Sequence, residues 1–304
     1  MNPQNPKPSE SDPGINHSSM KTTRWVGLAA LVLGAAWIWL RDTGWRQSSS
    51  DTLPILLCGP LYYWLGGPWK WKSAAVDAGT SNNTGPWIFI AAFGMCLGAI
   101  TGWNAPMALA WTIAFHIWET RFVEDGPAKT ANKKGLRLFD QRKALKIFPF
   151  LMFPWMQLDL QPIGWAFRIS GAWVAALFFQ LTGFEVDREG VYLVVEGAPI
   201  VVDAACSGLN ALQSMCVAGS LIAFWTFQPS RAFWCAVAVL PLFAWVANTL
   251  RIGMIGVVAL TFGAEFAMGP FHEPGGWLVL AIMFIGSGFL FQRIQNWLQK
   301  NQNP

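Results

Sequence analysis

The chain has 304 residues, of which 53% are hydrophobic and only 12% charged. Soluble domains carry about 25% charged residues. Nineteen Trp are far more than a soluble core of this size uses, and Trp suits the interface belts of a membrane protein. A net charge of +4 is too small to signal nucleic acid. The composition therefore excludes a soluble or nucleic-acid-binding domain. It points to an all-α polytopic membrane protein whose first partner is the lipid bilayer.

Residues 1–23 form a polar tail in which Pro, Asn, Ser and Gln dominate, His17 among them. It is expected to be disordered and cytoplasmic, and it lacks the apolar core of a signal peptide. Residues 24–146 read as the N-terminal membrane segments. Apolar runs cover 25–40, 53–66 (with two Pro), 87–103 and 105–118, the last two forming a helical pair. His116, beside Trp118 and Glu119, reads as a structural residue near an interface. The loop 119–146 follows, with eight Lys or Arg against four acids. The positive-inside rule places it in the cytoplasm.

Residues 147–304 begin with "IFPFLMFPWMQL", short and broken by two Pro, and continue with 163–182, an apolar run holding Arg168. One arrangement has the first piece cross while the second lies along or partly enters the outer leaflet. Residues 184–205 carry Glu185, Asp187, Glu189, Glu196 and Asp203 against Arg188 alone, which places them outside. "VYLVVE" and "PIVVD" flank a Gly-Ala-Pro turn and predict a small extracytoplasmic β-hairpin on the surface. Apolar runs at 204–227, 232–262 and 277–292 complete the chain, giving about eight membrane segments in all. With 184–205 outside, Arg251 lies toward the side of Cys206. His272 reaches that side if 252–270 make a shallow excursion or continue a tilted helix.

Of the five cysteines, Cys58, Cys96, Cys216 and Cys235 lie inside apolar runs and read as small filler. None forms a CxxC pair or has a His at metal-ligand spacing, so no metal or cofactor is expected. Cys206 differs because it sits at a segment end in "VVDAACSGLN". On a helix starting near Ala204, Cys206, Asn210 and Gln213 share one face, and the positive end of the helix favours a thiolate. Ser207 and Gly208 read as packing and backbone room, not as a second nucleophile. For Asn210 and Gln213, hydrogen bonding between helices is the plainer role.

Arg251 interrupts an apolar run at a cost of about 2.5 kcal/mol or more near the bilayer centre. Asn248, three residues earlier, points the same way, and no acid in the neighbouring runs is an obvious partner. An arginine at a wet cavity can bind an anion or an oxyanion. His272, in "FHEPGGW" between two apolar runs, could take a proton from a thiol and return it to a leaving amine. Three such residues on one membrane face suit acyl transfer. The rival readings are an anion-binding transporter, which would predict internal repeats that are not evident between the halves, and a non-catalytic assembly protein.

The order of "FPFLMFPWMQL", "LTGFEVDREGVYLVVEGAPIVVDAACSGLNAL", "NTLRIGMIG" and "FHEPGGW" resembles that of the exosortase/archaeosortase family of membrane cysteine transpeptidases. The resemblance covers about residues 147–292. It implies Cys206 as nucleophile, Arg251 and His272 as the other catalytic residues, and Asn248 as the Asn of the arginine motif. It also implies a bacterial inner-membrane enzyme with its site on the extracytoplasmic face. The implied substrates are exported proteins ending in a Pro-Glu-Pro-like motif, a membrane helix and a basic tail.

Overall fold

The computed structural model describes residues 17–41, 43–44, 53–67, 69–72, 85–123, 144–201, 208–228 and 230–301. The remainder, including most of the basic loop, lies outside the described residues. In chain order the elements are α1 (His17–Arg41), α2 (Leu53–Leu65), α3 (Gly85–Thr101), α4 (Asn104–Phe122), α5 (Ile147–Leu151), α6 (Trp155–Asp159) and α7 (Gln161–Leu181). Strands β1 (Val186–Glu189), β2 (Tyr192–Val195) and β3 (Ala198–Val201) follow. Helices α8 (Leu209–Phe227), α9 (Arg231–Phe262), α10 (Ala264–Met268) and α11 (His272–Asn301) complete the fold.

Five helices are long and apolar enough to cross a membrane: Thr22–Arg41 within α1, and α7, α8, α9 and α11. Helices α2 and α3 are apolar but shorter. Among the described residues these five, with the shorter apolar α2 and α3, stand against the eight segments expected. Helix α1 begins at His17, eight residues before the apolar run at Trp25.

Trp rings lace the N-terminal helices together. Trp111 and Trp118 on α4 donate to the carbonyls of Leu31 and Arg24 on α1, at 2.7 and 3.1 Å. Gly34 and Gly27 leave room for those two indoles. Asp159 caps the start of α4, accepting from the backbone N–H of Asn104 at 2.8 Å and of Ala105 at 2.5 Å.

Residues 144–159 run antiparallel to α4. Lys146 Nζ lies 3.0 Å from His116 Nε2, the Phe153 ring sits edge-on to Trp111, and Asp159 reaches Asn104. The stretch divides at Pro154 into two five-residue helices, and Pro149 is accommodated in the first turn of α5. Ala144, Leu145, Phe148 and Phe153 are all buried. Irregular backbone at membrane depth is tolerated where protein encloses it. The next piece, α7, is an unbroken helix of 21 residues. It starts beside Gln157, which reaches Asn210 of α8, and it ends against the sheet.

Helices α8 and α9 form a tight antiparallel pair, with Gly219 opened to Leu240 and Phe224 against Phe233. Phe291 of α11 packs on Phe227 and Phe243. Helix α9 has 32 residues, about 48 Å at 1.5 Å per residue, against a hydrocarbon core of about 30 Å. Of the two routes considered for 252–270, the helix continues as far as Phe262, and the short α10 follows after Gly263.

That overhang packs on the β structure. The expected hairpin is a three-stranded antiparallel sheet in the order β1-β2-β3. Its second turn is Glu196-Gly197, both with positive φ, not the Gly-Ala-Pro stretch; Ala198 and Pro199 belong to β3. Pro199 is tolerated because β3 is an edge strand. Leu193, Val195 and Ile200 face inward and form a second core with Phe179, Ile252, Ile255 and Ala259.

Candidate functional site

The site is assembled where the overhang of α9 meets the starts of α8 and α11. Cys206 and Ser207 lie outside the described residues, so the site is built here from Gly208 onward. Helix α8 starts at Leu209 with Gly208 as its N-cap, not near Ala204. The part of the expected helical face that joins Cys206 to Asn210 and Gln213 lies outside the described residues. Gly208 itself takes a left-handed conformation, with φ of 75°, which glycine adopts without a Cβ penalty.

Gly208 is also a point of close approach. A Cβ there would meet the Phe167 ring at 2.8 Å and Asn248 Cγ at 2.9 Å. Asn248 on α9 is thereby held against the residue that opens α8. Its side chain is 1% exposed, and neither amide atom has a hydrogen-bond partner among the described residues. On its other side lies Gly171 of α7, where a Cβ would be 3.8 Å from Asn248 Nδ2.

Arg251 follows one turn later on the same face. It stands 20 residues past the start of α9, about 30 Å along the axis, which is one hydrocarbon thickness. Its Nη2 donates to the backbone carbonyl of His272 at 3.2 Å. Gly276, one turn into α11, makes this approach possible, since a Cβ there would lie 3.0 Å from Arg251 Cζ and Nε. Nε is buried without a partner among the described residues.

His272 is the first residue of α11, not part of a loop between two helices. "HEPGG" reads as a loop because of its Pro and glycines. Yet Pro274 sits in the first helical turn, where its missing N–H costs no bond. Gly275 and Gly276 are buried, the first against the Phe271 ring and the second against Arg251.

Among the supporting residues, Asn210 is half-buried and receives Gln157 Nε2 at 3.5 Å, and Gln213 is buried. Cys58, Cys96, Cys216 and Cys235 are free thiols in apolar helices. The sequence reading missed Gln157 and Gly276. Gln157 carried a signal, as a polar residue in an apolar stretch; Gly276 carried none beyond its glycine. The structure thus joins Gly208, Asn248, Arg251 and His272 at one end of the bundle.

The family described as transmembrane exosortase (Exosortase_EpsH) matches residues 45–288, far beyond the motif-bearing half. No curated protein and no solved structure matches the chain. The matched span holds Cys206, Asn248, Arg251 and His272 together with three of the five candidate spans whole and the first part of the last. The chain is a multi-pass membrane protein and belongs to the transmembrane exosortase family, membrane-embedded enzymes of transpeptidase type that act on exported proteins.

Proposed function

We propose that the chain is a cysteine transpeptidase of the bacterial inner membrane that cuts the C-terminal sorting signal of exported proteins through Cys206. The observation that carries this reading is the contact of Arg251 with His272 at the end of the bundle where Gly208 meets Asn248. Gly208 is two residues from Cys206 in the chain, and two extended residues span about 7 Å at most. This short stretch of chain beside Asn248 supports pairing the thiol with the arginine and the histidine.

In the proposed reaction His272 takes the proton of the Cys206 thiol, and the sulfur attacks the scissile carbonyl carbon. Arg251 steadies the oxyanion; its Nε, and the Nη1 that the His272 carbonyl does not occupy, are suited to that task. The C–N bond breaks, the amine leaves with the proton held by His272, and a thioester remains on Cys206. An acceptor nucleophile then attacks the thioester and gives its proton to His272, the C–S bond breaks, and His272 passes that proton to the departing sulfur to restore the free thiol. The substrate is an exported protein ending in a Pro-Glu-Pro-like motif, an apolar helix and a basic tail, and the site opens on the extracytoplasmic face. Processing of a tagged substrate of that design tests this. Cys206→Ala is expected to abolish processing while the protein still inserts, and unchanged processing overturns the nucleophile assignment.

A further inference from the structure

A second arginine near the site has no role in the chemistry above. Arg168 is the single charged residue of α7, a helix otherwise apolar enough to cross a membrane. Its side chain is half-buried, and its Nε is buried with no partner among the described residues. The one ion pair among the described residues joins His116 and Glu119, so no acid there neutralises Arg168 or Arg251. Leaving a guanidinium in such a helix without a counter-charge is costly, and an ionisable residue kept there marks a functional group.

Its position on α7 ties it to the site. Phe167, the preceding residue, packs on Gly208. Gly164 and Gly171, four residues before and three after Arg168, share its helical face, and both are buried. Gly171 lies against Asn248, Thr249 and Ile252 of α9. Two glycines therefore thin the helix on either side of the arginine, on the face turned to the arginine motif. Asn248, almost fully buried and unpaired at both amide atoms, is an independent mark of a missing polar ligand there. Two guanidiniums and an unpaired amide, with no acid paired to them among the described residues, call for an anion with planar oxygens.

Resting on the transpeptidase reading, we infer that Arg168 is a specificity residue that binds a carboxylate side chain of the substrate segment entering the site, with Asn248 lining the same subsite. Phe167, next to Arg168, packs on Gly208, which is two residues from Cys206 in the chain. A carboxylate of the substrate then supplies the charge that the helices lack.

The test uses the full enzyme in membranes and two tagged substrates that differ only by Glu or Gln at the acidic position ahead of the apolar helix. Wild type is expected to favour the Glu substrate by about tenfold or more in kcat/KM, the scale of a charge-assisted hydrogen bond. In Arg168→Gln the preference is expected to fall to near unity, chiefly through a higher KM for the Glu substrate. Arg168→Leu, suited to an apolar helix, serves as the second variant and should lose the preference as well. A wild-type enzyme without preference, or a variant that keeps it, overturns the inference. Repeating the pair in vesicles of phosphatidylcholine with and without phosphatidylglycerol separates a lipid source of the anion. If Arg168→Gln alters only the response to the anionic lipid, Arg168 holds a headgroup and the inference is wrong. Failure of the wider reading is distinct: it shows as processing that survives Cys206→Ala.

Discussion

Arg251 Nη2 donates to the backbone carbonyl of His272 across a 3.2 Å hydrogen bond. It binds the middle of a long helix to the first residue of another. The bond uses one edge of a planar fork, so the rest of the guanidinium stays available to a substrate. Arg251→Lys keeps a charge but loses the fork. Cleavage of the tagged substrate is expected to fall at least about tenfold. Turnover near wild type would show that charge alone suffices at this position.

Gly276 separates packing from propensity. Gly276→Ala should favour α11 by up to about 1 kcal/mol on helix propensity alone. Its methyl would meet the Arg251 guanidinium at 3.0 Å and push it off the helix. The expected outcome is an unchanged or higher Tm in detergent together with a large fall in cleavage. Equal activity in the variant would mean that Arg251 need not rest on α11.

Asn248 presents a similar trade. Both amide atoms are buried and unpaired among the described residues, a cost of about 1–3 kcal/mol. Asn248→Leu, close in size, should leave Tm unchanged or raised and should weaken cleavage about tenfold or more. A loss of Tm with normal cleavage per folded molecule would assign the residue to packing alone.

Legibility in the sequence followed physics that is local or strongly charged. Arg251 and Arg168 stood out because a guanidinium in an apolar run has few structural uses. The β region was legible from its alternation, but β1 was not, because "VDRE" reads as a solvated loop. The turn was misplaced because Glu196 adopts a positive φ that its residue type disfavours. The helix start at Leu209 and the helical "HEPGG" stretch were hidden for one reason. Gly208 and Gly276 are fixed by what packs against them, Asn248 and Arg251, and those contacts span from 25 to 40 residues of chain. The break in 144–159 was legible from Pro154, while its enclosure by α4 depended on ring contacts that periodicity does not carry.

The sheet is joined to the site through a shared core. Leu193 is 2% exposed and packs with Ile252 and Ile255 on the overhang of α9. Leu193→Ala is expected to cost about 2–5 kcal/mol, read as a lower Tm. Replacing 184–203 by a Gly/Ser linker should abolish cleavage, since it removes that core and the lead into Cys206. Cleavage retained after the replacement would detach the sheet from the function.

The central claim is a covalent one, and it is tested most directly by trapping the acyl-enzyme. Membranes carrying the enzyme and the tagged substrate are quenched in acid, and the Cys206 peptide is analysed by mass spectrometry with and without hydroxylamine. The account predicts a substrate-derived acyl group on Cys206 that hydroxylamine removes and that is absent from Cys206→Ala. Continued processing with no acyl group on Cys206, and none lost in Cys206→Ala, would contradict it.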